Sequence, residues 1–332
     1  MALPRIALIG TGGTISSVGR HPLDLIEYPD TGIKLTVTEI LERFPIVHEV
    51  ADITSIAYRE VGSMQIGPSD WLALARLIET TAAEQPDLDG FVITHGTATT
   101  EETAYFLNLV LRVPQAVVVV GAQRPPTGLG TDAGINLVNA VRAAAHPETR
   151  EMGVVVMLND EIQFAREVTK TSTLRMQTFR TPDFGALGHT DSDNVVYYRT
   201  PRRRRKPDVE FDLEGVESLP RVDVAYSYGG TDGTAVDAFL AAGAKGIVSA
   251  GFAPGGTTAQ ETLALERAQA SGVVIVQASR AGSGRVTQRE FISSRGFVAA
   301  DNLNPQKARV LLMLALTRTT QVDEIVRIFS EY

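Results

Sequence analysis

Short, unbroken apolar runs recur along the chain at Ile6–Ile9, Phe91–Ile93, Ala116–Val120, Val154–Leu158, Gly246–Val248 and Val273–Val276. Polar residues do not alternate with apolar ones inside them, so each fits a strand covered on both faces. Helical spacing fills the intervals, at Asp70–Thr81, Glu101–Leu111, Ala133–Ala145, Ala235–Ala242 and Thr257–Ala270. Strand–helix alternation of this kind predicts an α/β fold, with a doubly wound, mainly parallel sheet. At 332 residues the chain exceeds what one hydrophobic core usually holds. The alternation breaks at Pro201–Pro207, where Arg202–Arg205 and Lys206 precede Asp208, Glu210, Asp212, Glu214 and Glu217. Five bases and five acids cancel there, which reads as an exposed linker rather than a nucleic-acid arm. The expected organisation is therefore an N-terminal α/β domain over 1–200, a linker over 201–220 and a smaller α/β C-terminal domain over 221–332. Apolar helices around Ala308–Thr317 and Val322–Phe329 close the second domain.

Several function classes fall away on composition. A net charge of −8 opposes attraction to phosphate backbones and anionic membranes. With no cysteine, thiolate catalysis, disulfides, iron–sulfur clusters and Cys-based zinc sites are all excluded. The apolar runs fall far short of the roughly 20 residues of a membrane helix, and the N-terminal stretch lacks a basic n-region and a long apolar h-region. A cytoplasmic protein is expected, without membrane or nucleic-acid partners.

Ligands of open α/β sheets gather beyond the carboxyl ends of the strands, so the loops that follow the apolar runs hold the candidate chemistry. After the first run comes Gly10-Thr11-Gly12-Gly13-Thr14-Ile15. It starts like a dinucleotide fingerprint, but Ile15 stands where the third glycine belongs; phosphate-loop and G-x-S-x-G patterns are also missing. What is left is a threonine hydroxyl, Thr11, in a tight turn among amide donors. A turn threonine bonded to its own backbone is the competing reading. After the second run comes Thr94-His95-Gly96-Thr97-Ala98-Thr99-Thr100-Glu101-Glu102. Thr99 and Glu102 have the spacing of a capping box, leaving Thr97 in the turn before the helix. His95 has the chemistry of a base but reads as a structural histidine, and no H-E-x-x-H pattern suggests a metal. Lys170, among small β-branched neighbours, is either a surface lysine or a base whose pKa burial lowers.

Together these segments carry a resemblance. TGGTI at 11–15, VITHGT at 92–97, EETAYFL at 101–107, VVGAQRP at 119–125, VTKT at 168–171, IVSAG at 247–251 and GFVAADNLNPQKARVLL at 296–312 resemble the bacterial L-asparaginase/glutaminase family, in order and over essentially the whole chain. The resemblance implies a small-molecule amide substrate, no cofactor, no metal, and a homotetramer with sites at the interface of intimate dimers. It implies Thr11 as nucleophile, assisted by Tyr28 on a mobile loop spanning 16–34, and Thr97 working with Lys170. It further implies Ser63 as a carboxylate-binding residue, Glu290 contributed by a neighbouring subunit, and a substrate pocket that includes Gly10, Met64, Gly96, Ala98 and Ala122.

The sequence departs from the family pattern on one side of that pocket. Ala98 stands where an aspartate is usual, Met64 where a glutamine is usual, and Phe252–Thr257 offers no amide side chain where an asparagine is usual. All three positions normally hold the substrate's α-ammonium. The expected activity is hydrolysis of a carboxamide to acid and ammonia through an acyl-threonine, on a substrate without a free α-amine. An ordinary or weak L-asparaginase and a catalytically silent binding protein are the alternatives.

Overall fold

Full burial of the apolar runs makes them interior strands. In the computed structural model, which describes residues 2–192 and 194–332, the chain divides into two compact units, 1–209 and 210–332. The first unit is built on an eight-stranded sheet. Its strands are β1 (Arg5–Gly12), β2 (Asp52–Val61), β3 (Gly90–Thr94), β4 (Ala116–Val120), β5 (Val154–Leu158), β6 (Glu161–Phe164), β9 (Gly188–Thr190) and β10 (Val195–Tyr197), with β7 (Thr169–Lys170) and β8 (Phe179–Arg180) forming a separate small hairpin. Their order is β10-β9-β6-β5-β4-β3-β1-β2. Neighbours from β2 to β5 run parallel, and β6, β9 and β10 extend the sheet antiparallel.

Successive residues of a strand point to opposite faces. Accordingly Ile6 and Leu8 of β1, Val92 of β3, Val118 and Val120 of β4 and Val155 and Met157 of β5 form one core cluster with Leu137, Ala140, Val141 and Ala144 of a helix over Ala133–Ala145. Helices α1 (Val37–Arg43), α2 (Pro68–Glu84), α3 (Thr100–Val110) and that one, α4, complete the unit. Trp71 of α2 packs on Phe106 of α3 with ring centroids 5.6 Å apart.

The second unit carries a parallel sheet in the order β11 (Val222–Tyr226), β12 (Gly246–Gly251), β13 (Val274–Ser279) and β14 (Val298–Ala299). Its helices are α5 (Thr234–Ala241), α6 (Ala259–Ala270), α7 (Glu290–Ser293), α8 (Pro305–Ala315) and α9 (Val322–Glu331). Helix α8 begins three residues before the Ala308 start expected from its apolar pattern: Asn304 caps the Lys307 amide at 3.0 Å, with Pro305 in the first helical position.

Two local expectations give way. Thr99 does not form a capping box with Glu102: its hydroxyl donates instead to the Ser63 carbonyl at 2.8 Å, because the turn after β3 packs on the segment after β2. Nor is the Arg202–Lys206 run a solvated linker throughout. Lys206 is 1% exposed, and its ammonium donates to the Val113 and Gln115 carbonyls at 3.0 and 2.8 Å, which supply a buried ammonium with the acceptors it needs.

Candidate active site

Strand order in the first unit reverses at β1, which lies between β3 on one side and β2 on the other. At such a point the loops leaving adjacent strands diverge and open a crevice at their carboxyl ends. Thr11, Ser63 and Thr97 all emerge there, from β1 and from the turns after β2 and β3.

Close approach of the backbone makes this arrangement tight. Gly13 has φ 88°, and a Cβ on it would lie 2.2 Å from the Gly96 Cα. A Cβ on Gly96 would in turn sit 2.8 Å from the Ser63 hydroxyl. The two glycine turns therefore touch main chain to main chain, a closeness that any side chain would prevent. Gly13 also donates its N–H to the Val61 carbonyl at 2.8 Å, drawing the end of β2 into the same cluster.

Thr11 is 1% exposed, and its hydroxyl donates to the Thr94 carbonyl at 2.8 Å. Tyr28 lies half-buried in the 16–34 segment with its hydroxyl 2.8 Å from that of Thr14, so the tyrosine pairs with Thr14 rather than with Thr11. Burial raises the Tyr28 pKa, and Asp132 and Asp24 add to the rise against the opposing Thr14 hydrogen bond. The phenol keeps its proton.

Thr97 and Lys170 are in direct contact. The Lys170 ammonium donates to the Thr97 hydroxyl at 2.7 Å, and the Thr97 hydroxyl donates to Gln123 Oε1 at 3.2 Å. Burial lowers the Lys170 pKa, opposed by the negative charge of Glu101, whose Oε1 accepts the Lys170 N–H at 3.3 Å. The lysine thus moves toward the neutral state in which an amine accepts a proton.

His95 is fully buried, and desolvation lowers its pKa to about 4. A neutral imidazole with its proton on Nδ1 satisfies all its contacts: it donates to the Gly96 carbonyl at 2.8 Å and accepts on Nε2 from the Thr103 hydroxyl at 3.0 Å, which accepts from Trp71 Nε1 at 3.0 Å. His95 is therefore neutral and fastens the turn that carries Thr97.

The remaining sequence candidates fall in different surroundings. Gly10 and Ala122 are buried, Gly10 against Val37 and Ala122 within the core cluster at the end of β4. The Ser63 hydroxyl accepts the Ala98 N–H at 3.2 Å, which fixes Ala98 beside it. Met64 is 85% exposed and Ala98 is exposed in the single chain. Glu290 belongs to the second unit, where it opens α7 on an exposed surface. Sequence reasoning does not single out Gln123, Thr14 or Asp132. Gln123 and Thr14 lie inside family-like motifs, directly after β4 and β1, so their position at strand ends is the available signal.

Residues 5–203 match the family model described as "Asparaginase, N-terminal", and residues 221–329 match "Glutaminase/Asparaginase C-terminal domain". The chain belongs to the asparaginase family. It is accordingly an amidohydrolase of linear amides. It is 40% identical over 332 residues to a "Probable L-asparaginase periplasmic" of Haemophilus influenzae, covering 99% of this chain and 93% of that one. It is 39% identical over 334 residues to "L-asparaginase 2" of Escherichia coli, covering 100% and 94%. The crystal structure of a "Probable Cytoplasmic L-asparaginase" from Campylobacter jejuni superposes with TM-score 0.95 at 38% identity, covering 99% of this chain and 100% of that chain. These asparaginase relatives are named for two compartments, and among the described residues of this one no helix is long and apolar enough to cross a membrane.

Proposed function

We propose that this asparaginase-family chain hydrolyses a carboxamide whose substrate lacks a free α-amine. The observation that carries the reading is the residue locked between Thr97 and Ser63: Ala98 is tied through its N–H to the Ser63 hydroxyl and presents only a methyl group, with the thioether side chain of Met64 next to Ser63. An ammonium brought to this side of the crevice meets no carboxylate from position 98.

Thr11 Oγ would attack the amide carbon, the C–N bond would break, and ammonia would leave with a proton. Water would then cleave the acyl-threonine to release the acid and regenerate the hydroxyl. Backbone N–H groups of the glycine turn other than that of Gly13, which is bonded to Val61, would serve the oxyanion formed at each addition. Lys170, with its pKa lowered by burial and its contact to Thr97, is the better-suited proton acceptor; Tyr28, held in the protonated state, serves as a hydrogen-bond donor from the 16–34 segment, which acts as a lid over the crevice. Glu290 from a neighbouring subunit of a homotetramer would complete the pocket, and the whole would work in the cytoplasm without a cofactor.

The names of the relatives favour a second reading, an ordinary L-asparaginase. One comparison separates the two. Losing the charged partner of a buried ammonium costs about 2–5 kcal/mol, which corresponds to roughly 30- to 4,000-fold in kcat/KM. Wild type should therefore favour an amine-free dicarboxylic monoamide over L-asparagine. The Ala98→Asp, Met64→Gln double variant should reverse that preference, and Thr11→Ala should abolish ammonia release from both. If wild type hydrolyses L-asparagine efficiently and the double variant changes nothing, the ordinary L-asparaginase is the correct reading.

A further inference from the structure

Residues 121–132, between β4 and α4, are hydrogen-bonded at one end to the Thr97–Lys170 pair and at the other to the lid. At the first end, Gln123 Oε1 accepts from the Thr97 hydroxyl at 3.2 Å and from the Lys170 ammonium at 3.4 Å, while its Nε2 donates to the Arg175 carbonyl at 2.9 Å. At the other end, the Thr127 hydroxyl oxygen accepts the Gly19 N–H at 2.9 Å, and the Leu129 N–H donates to the Pro22 carbonyl at 2.7 Å.

The lid in turn is stitched into one piece around Tyr28. Buried Asp24 accepts the Arg20 and Glu27 N–H groups at 2.9 and 3.1 Å, and the Thr31 hydroxyl bridges the Val18 and Tyr28 carbonyls at 2.8 and 2.9 Å. A shift of Gly19 or Pro22 therefore carries Tyr28 with it.

Asp132 closes the connecting segment on itself. Its buried carboxylate accepts the Gln123 N–H at 2.9 Å, the Arg124 N–H at 2.9 Å and the Asn136 side-chain amide at 3.0 Å. Asn136 also donates to the Gly121 carbonyl at 3.0 Å, and the Thr131 hydroxyl donates to the Arg124 carbonyl at 3.2 Å. Charge-assisted bonds from one carboxylate to successive main-chain amides are among the stronger local constraints a loop can have. Although Asp132 immediately precedes α4, its side chain caps none of that helix's main-chain amides and instead ties the loop amides of Gln123 and Arg124 to the Asn136 side chain in the helix's first turn.

We propose that segment 121–132 is a rigid strap that couples the lid to Gln123, and through it to Thr97 and Lys170, with Asp132 as the positioning residue that makes the strap move as one piece. Its catalytic consequence rests on the roles proposed above for Thr97, Lys170 and the lid. The coupling itself is readable without turnover.

Hydrogen–deuterium exchange on the full chain tests it by perturbing one end and observing the other. Thr127→Val, nearly isosteric, removes the acceptor for Gly19. It should accelerate exchange in the lid, 16–34, and also in the hydrogen-bonded 171–178 turn, by about five- to tenfold, the effect of one neutral hydrogen bond. Thr127→Ser should restore both. Asp132→Asn should loosen both segments, although its side chain bonds to neither. In ammonia-release kinetics, Thr127→Val should lower kcat by up to about 100-fold, the scale of a small misplacement of reacting groups, and Thr127→Ser should recover it. Acceleration confined to the lid in Thr127→Val, or an Asp132→Asn variant that exchanges like wild type, overturns the strap. Wild type that releases no ammonia from any amide, but shows the coupled exchange, upholds the strap and overturns the proposed function instead.

Discussion

Lys170 can accept a proton only when it is neutral, and two opposing influences set how often that is. Burial lowers its pKa and Glu101 raises it. A carboxylate near an ammonium stabilises the charged form, so removing the charge of Glu101 must lower the lysine pKa further. Neutral lysine then persists to lower pH. Activity that depends on it should rise with pH along an acid limb, and in Glu101→Gln that limb should move to lower pH. The amide oxygen of glutamine can still accept from the Thr169 hydroxyl and the Lys170 N–H, now at 3.2 and 3.3 Å from Glu101 Oε1. The kcat/KM pH profile of the variant beside that of wild type is the check, and a limb that stays in place or moves to higher pH removes Lys170 from the role of base. His95 makes stability itself depend on pH. Its folded pKa of about 4 lies below the ordinary 6.5, so the unfolded chain binds more protons between those values. Stability from this group is complete above about 6.5 and falls as the pH drops toward 4.

At the level of elements, two helix starts that look alike in sequence do different work. Thr36 forms a true capping box at α1: it accepts the Glu39 N–H at 3.2 Å, and Glu39 takes the Thr36 N–H at 2.8 Å. Thr99 before α3 spends its hydroxyl on the Ser63 carbonyl. Thr36→Ala should therefore cost about 0.5–2 kcal/mol of stability and leave KM unchanged. Thr99→Ala should release the Ser63 turn and raise KM for the amide about five- to tenfold. Denaturant melts and initial-rate kinetics on the pair check this, and a Thr99→Ala enzyme with wild-type KM would show that Ser63 needs no such support. The same contrast marks what the sequence makes legible. β4, β5 and α4 are found at their expected bounds, because unbroken apolar runs and a clear helical period leave little choice. β2 gives no such signal: it is an edge strand, half-exposed along its length, with Asp52, Thr54, Ser55, Arg59 and Glu60 diluting any pattern. The short antiparallel strands β6, β9 and β10 gain their place from the sheet edge they extend, a tertiary effect no local window contains. Among the candidate site residues, Thr11, Thr97 and Lys170 stand out in the sequence by motif and position, and the structure places Lys170 against Thr97. The roles of Gln123 and Asp132 are not, since they consist of bonds to residues outside their own motif.

Across the whole molecule, the segment between the two family-matched regions is where charge and fold meet most sharply. Arg204 pairs with Asp208 at 3.7 Å, and Arg205 donates to the Glu151 carbonyl at 2.8 Å, so part of the basic run is committed internally. Lys206 goes further. It is buried on the turn between α3 and β4, its N–H donates to the Asn108 carbonyl at 3.1 Å, and its ammonium holds two carbonyls. Desolvation, with a smaller contribution from Arg150, lowers its pKa from 10.5 to about 8. Protonated Lys206 therefore costs the folded state about 3 kcal/mol relative to an ordinary lysine at pH below 8. Between 8 and 10.5 the unfolded chain binds more protons than the folded one, so the penalty is relieved and stability rises with pH. Lys206→Met removes the titrating group and leaves the Val113 and Gln115 carbonyls without this donor, a cost of about 1–3 kcal/mol each that does not depend on pH. Other titrating groups are present in both proteins and cancel in the difference; Tyr58, with its pKa raised to about 12, stays protonated in the folded state throughout this range. Urea unfolding at pH 7, 8, 9 and 10 should show wild type gaining stability over the variant by up to about 3 kcal/mol as pH rises. A difference that stays constant across that range would mean that Lys206 titrates like an exposed lysine, and that its two carbonyl partners fully offset its burial.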